Sequence, residues 1–223
     1  MVDGRAKFLS GNLFGHVANM SLLASVGLVA VFLVDFVDMI FISMLGKAEL
    51  AAAIGYAGAI LFFTTSFGIG LGIAAGALVA RALGQDDAQL ARERTTHALC
   101  YGAVFGVIFA LCVFLSLDVL VGWVGAGGET AALAVDFLQI VVPSVPFLMV
   151  GMMGSAILRA HGDARRAMMA TIAGGIVNAI LDPILITGAF GIAGFGIAGA
   201  AYATIAGFFI AILVALWLIR GAK

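Results

Sequence analysis

Four polar side chains stand where an otherwise apolar sequence has least room for them. Asp35 and Asp38 are three residues apart in one charge-poor run, and Asn178 and Asp182 are four apart in another, with Pro183 next in the chain. On a helix both spacings place the pair on one face. The second pair also sits beside a proline that removes one rung of the backbone hydrogen-bond ladder. A carboxylate deep in an apolar helix is costly, so it faces a bundle interior, pairs with another group, or marks an ion or proton path. If Asp38 and Asp182 meet in a low-dielectric cleft, repulsion and lost hydration favour the uptake of a proton or a small cation. Sodium at Asp38, Asn178 and Asp182 is one form of that site, with a hydroxyl completing the oxygen set. Interfacial solvation is the alternative for Asp35, Asp38 and Asp182, and it is the expected state of Glu129 and Asp136.

The elements that must carry these residues are membrane helices. The chain has 223 residues, 64% hydrophobic and 10% charged, with a mean hydropathy of +1.21. Soluble domains carry about 25% charged residues, so this chain cannot cover a core with polar surface, and lipid must cover it. The net charge of −1 gives no basic footprint for nucleic acid. Cys100 and Cys112 lack CxxC spacing and are expected to be buried free thiols. The apolar run after Arg5 and Lys7 is too long, and too poor in a small-residue cleavage site, for a removable signal, so it is expected to be a retained first span.

Six charge-poor stretches reach the roughly 20 residues needed to cross a bilayer. They are about 16–42, 54–80, 95–117, 131–158, 167–187 and 197–219. Arg5, Lys7, Arg81, Arg92, Arg94, Arg159, Arg165, Arg166, Arg220 and Lys223 fall on one side of this arrangement and Lys47 alone on the other. Cytoplasmic loops collect Lys and Arg, so both termini are expected in the cytoplasm. Counting about 1.5 Å per residue from that side puts Asp182 about 20 Å up and Asp38 about 30 Å up, so the two meet only if the first helix tilts or bends.

Other features are structural on their face. Gly11/Gly15, Gly72/Gly76 and Gly102/Gly106 have the spacing that lets helices approach closely in lipid. Pro143 and Pro146 predict a kink in the fourth span, as Pro183 does in the fifth. The segment Gly188 to Gly199, with Gly191 and Gly194 inside it, reads as an outward loop, and neither it nor Gly68 to Gly72 follows a strand as a nucleotide fingerprint would. His16 and His97 read as packing histidines near span ends, and His161 as a loop residue. No HExxH or GxSxG occurs in a span, so no enzyme is indicated.

In combination these segments resemble the multidrug and toxic compound extrusion (MATE) family of the MOP superfamily. Asp38 with Met39 to Gly46 and then Glu49-Leu50-Ala51-Ala52 is similar to the family's first-span ending. Leu158 to Arg165 resembles its cytoplasmic loop, with His161 where a smaller residue is more usual. Asn178 to Ile186 resembles its fifth-span motif, and Gly196 to Thr204 the start of its sixth span.

The resemblance implies an all-α, six-helix lobe, here one lobe of the two that face each other across a central cavity in the family. It implies that Asp38, Asn178, Asp182 and Thr204 form a proton- or sodium-linked cluster; Asp35 has no counterpart in the pattern and is either an acid beside that cluster or an interfacial residue. It further implies antiport of H+ or Na+ against an amphipathic or cationic organic compound across the inner membrane, with no cofactor, by a lobe paired to a second lobe or copy. A lipid-linked saccharide flippase would carry more cations within its spans. A non-transporting truncated scaffold would be indifferent to loss of Asp38 and Asp182.

Overall fold

The structure is a computed structural model that describes residues 13–188 and 194–220. Arg5, Lys7, Gly11, Gly191 and Lys223 lie outside the described residues. The helices are α1 (Leu13–Ser43), α2 (Ala48–Gly84), α3 (Ala88–Leu115), α4 (Leu117–Trp123), α5 (Gly128–Val141), α6 (Val145–Ala160), α7 (Ala164–Thr187) and α8 (Ile197–Arg220). Six of the resulting segments are long and apolar enough to cross a membrane, α5 and α6 together making the fourth.

The helices outrun the charge-free stretches. α2 begins at Ala48 rather than near 54 and ends at Gly84 rather than near 80. Charge marks where lipid stops, whereas a helix ends only where its backbone bonds find other partners. Glu49 in the first turn and Arg81 in the last suit the helix dipole and let α2 extend into the interface. The polar connections are caps. Asp87 accepts from the Leu90 N–H at 2.8 Å to start α3. Asp163 accepts from the Arg166 N–H at 3.2 Å to start α7, and pairs with the Arg166 side chain at 3.1 Å. Gly162, at φ 78°, supplies the left-handed turn between α6 and α7.

The fourth span is interrupted between its prolines. Residues Val142–Ser144 form a single 3-10 turn between α5 and α6. Pro146 cannot donate to Val142, whose carbonyl accepts instead from the Val145 N–H. The Ser144 hydroxyl donates to the Val141 carbonyl at 2.7 Å. α3 packs against this break through Gly106, where an added Cβ would lie 2.8 Å from Pro146 Cα. Gly72 and Gly76 of α2 receive Ala156 of α6, whose Cβ would lie 3.5 Å from a Cβ on Gly72 and whose carbonyl oxygen 3.5 Å from one on Gly76. These glycines let α6 lie between α2 and α3 at backbone contact.

At the Lys47 end nearly every helix joins one core, from Ile42 of α1 through Leu138, Val142 and Met149 to Ile186 and Ala200. At the arginine end the packing divides. Ala75, Val79, Met153 and Ile157 tie α2 and α3 to α6, while Leu158, Ala167 and Leu218 tie α6 to α7 and α8. α1 leans mainly on α7 and belongs to neither of these smaller cores.

Cys100 and Cys112 are exposed, not buried. α3 turns Gly102, Gly106, Ala110 and Val113 inward. Cys100, Tyr101, Val104, Ile108, Leu111 and Cys112 therefore fall on its outer face. In lipid an apolar thiol needs no protein cover, so the burial rule for soluble cores does not transfer.

Candidate functional site

The site forms where α1, α7 and α8 cross. α1 and α7 run parallel, and two contacts fix their register. A Cβ on Gly175 would touch Val34 Cγ2 at 3.0 Å, and one on Gly27 would lie 4.0 Å from Met168 Cγ. Both contacts pair residue n of α1 with residue n+141 of α7. Asp38 is therefore level with Ala179, between Asn178 and Asp182. The difference in height expected from counting residues does not exist. α1 runs about ten residues beyond the start of α7, or ~15 Å at 1.5 Å per residue, so its numbering is offset and no bend is needed.

α8 closes the site from the other side of α7. Gly174 and Gly207 stand opposite each other. A Cβ on Gly174 would come within 2.6 Å of the Gly207 carbonyl oxygen, and one on Gly207 within 2.9 Å of the Gly174 oxygen and 3.1 Å of Asn178 Cβ. Any side chain here would push α8 off Asn178. With both positions bare, the Asn178 oxygen accepts from the Thr204 backbone N–H at 3.1 Å and its NH2 donates to Asp38 Oδ1 at 3.3 Å, the amide orientation that satisfies both neighbours. One amide thus links α1, α7 and α8.

Asp182, one turn beyond Asn178, is fully buried, and Asn178 is 4% exposed. The carboxyls of Asp38 and Asp182 lie within hydrogen-bonding reach of each other. Asp182 Oδ1 is buried without a hydrogen-bond partner. Two carboxylates at this range persist only with a proton or cation between them, and the unsatisfied oxygen is where one would be received. α7 continues through Pro183, which has no N–H to give the Ala179 carbonyl, so another oxygen is released at the same level.

Of the remaining candidates only Thr204 joins this hydrogen-bonded set, and it does so through its backbone. Asp38 is half-buried, but Asp35, less than one turn earlier, is exposed. The Thr204 hydroxyl donates to the Ala200 carbonyl at 2.9 Å, so Thr204 enters the cluster through its backbone. Glu129, Asp136 and His97 are exposed. His161 is half-buried, with Nδ1 2.9 Å from the Ile157 carbonyl oxygen. Gly174, Gly175 and Gly207 position the site, and the residue types alone did not single them out. The available signal was spacing, since Gly174 is four before Asn178 and Gly207 three after Thr204.

Comparisons with known proteins bear on the family and the fold. A family model described as MatE matches residues 24–184. The FAD transporter of Shewanella oneidensis is 28% identical over 215 residues, covering 96% of this chain and 47% of that protein. The multidrug export protein MepA of Staphylococcus aureus is 28% identical over 181 residues, 81% of this chain and 40% of MepA. A solved MOP superfamily transporter from Pyrococcus furiosus superposes with a TM-score of 0.88 at 29% identity, over 98% of this chain and 47% of that one. The chain thus spans about half the length of the relatives it matches.

Proposed function

The chain belongs to the MatE family, and from that premise we propose that it is one lobe of a secondary antiporter that exports amphipathic or cationic organic compounds in exchange for a cation. The observation that carries this is the pair Asp38 and Asp182, held on separate helices by Asn178 and left with an unsatisfied buried oxygen. Binding of the cation between the carboxyls draws α1 onto α7, and its release lets the carboxylates repel and α1 move. α1 is suited to such movement because only about 6% of its most apolar stretch is buried within the lobe.

A proton suits the site better than sodium. The Asn178 oxygen is engaged by Thr204 and its NH2 faces Asp38, so the amide offers the carboxyl pair a donor rather than a ligand oxygen. Sodium would have to recruit the freed Ala179 carbonyl and rotate the amide.

The skewed arginine distribution supports a reading in which the six helices cross the inner membrane with both termini in the cytoplasm. A second six-helix lobe, or a second copy of this chain, completes the cavity. Alternating access then follows by rocking of the two lobes.

Accumulation of a fluorescent organic cation, and separately of FAD, is measured in an efflux-deficient bacterium expressing the chain with its second lobe or copy. Efflux of the cation that collapses when the proton gradient is dissipated, and is absent from Asp38→Asn and Asp182→Asn, is the expected result. Efflux indifferent to both substitutions would overturn the proposal. Loss only on removal of the sodium gradient would reassign the ion.

A further inference from the structure

α1 leans on α7 rather than on α2 toward the arginine end, and a groove of about 490 Å³ opens there. Its floor is the glycine face of α2 against α6, at Gly72, Gly76 and Ala156, and its walls include Met20, Ile69 and Ile73. Ile69 and Ile73 are 47% and 69% exposed, so the walls are unfilled apolar surface rather than closed core. The size falls within the 300–1,000 Å³ usual for small-molecule sites.

One charged group lines this apolar groove. Arg159, in the last turn of α6, is half-buried there. Among the described residues no ion pair holds it. The acid nearest in sequence, Asp163, is committed to Arg166 and to capping α7. Arg81 directly follows Ala80, another lining residue, and adds a second cation at the same end. An apolar trough with an unneutralised guanidinium at its interfacial end matches an acyl chain joined to a phosphate, because a guanidinium forks onto phosphate oxygens and anionic headgroups lie at that depth.

The geometry points to a binding site for an anionic phospholipid, its headgroup on Arg159 and one acyl chain along Ile69 and Ile73 between α1 and α2. The lipid acts as a removable wedge between the mobile first helix and the α2–α6 pair. It is distinct from the acidic cluster, which lies within the α1–α7 contact nearer the Lys47 end of α1 and attracts cations, whereas Met20 and Arg159 stand toward the arginine end.

The test is native mass spectrometry of the full chain, with its second lobe or copy, released from phosphatidylcholine nanodiscs containing a minor fraction of phosphatidylglycerol. Wild type is expected to retain phosphatidylglycerol in preference to phosphatidylcholine. Arg159→Gln should weaken that retention about fivefold, the loss from removing one cation–phosphate attraction at a membrane surface. Ala77→Phe, which fills the groove and keeps the charge, should also lose it, while Arg92→Gln should not. Equal retention of both lipids by wild type, or undiminished retention by Arg159→Gln, would overturn the site. So would crosslinking of an Ile73→Cys chain to a second copy or lobe, which would put protein in the groove. Efflux is not part of this readout, so retention without transport leaves the lipid site standing while counting against the antiporter.

Discussion

Gly207 of α8 meets Gly174 of α7 at a distance that leaves no room for a methyl group on either, since a Cβ on Gly207 would lie 2.9 Å from the Gly174 carbonyl oxygen. The contact is with backbone, which cannot rotate aside. It sets the spacing at which Asn178 reaches Thr204, so packing at an apolar crossing controls a polar site one turn away.

Gly207→Leu is therefore expected to separate α7 from α8 and cost about 1–3 kcal/mol of overpacking strain. Thermal unfolding in detergent should show a lowered Tm, and efflux should fall although no charged group has changed. A variant with wild-type Tm and efflux would mean that the crossing is not as tight as described.

Asp182→Asn should separate stability from function. The substitution is nearly isosteric, removes the buried carboxyl beside half-buried Asp38 and gives Asp38 a further amide donor. Tm should be unchanged or higher, because neutralising an uncompensated buried acid removes its desolvation cost, while ion-coupled efflux disappears. A variant that unfolds but still transports when refolded would assign Asp182 a structural role only.

Asp35→Asn tests the boundary of the cluster. Asp35 is exposed, whereas Asp38 is half-buried and receives the Asn178 amide. Substitution at Asp35 should leave Tm and most of the efflux in place, and the same change at Asp38 should abolish efflux. Equal loss from both would bring Asp35 into the ion site.

Asp163→Ala removes the cap of α7 together with the Arg166 pair. Loss of such a cap costs about 1 kcal/mol, which should appear as a modest drop in Tm and faster hydrogen exchange in the first turn of α7. Asp163→Asn or Asp163→Ser, which can still accept from the Arg166 N–H, should recover most of the loss.

The sequence alone determined how many spans there are, that lipid must surround them, and which polar residues deserved notice, because hydropathy and helical spacing are summed over neighbours in the chain. The loop acids Asp87 and Asp163 were legible as polar turn residues for the same reason, although their capping bonds were not. Only the tertiary structure decided that Asp38 stands level with Ala179. That register comes from Gly175 against Val34 and Gly27 against Met168, contacts 141 residues apart that no local pattern encodes. The same holds for the outward face of Cys100 and Cys112, for the bare crossing of Gly174 and Gly207, and for the groove beside Arg159. Each depends on which side of a nearly uniformly apolar helix meets another helix. In lipid that choice is made by the fit of small side chains against backbone rather than by burial of hydrophobic ones, so composition carries little trace of it.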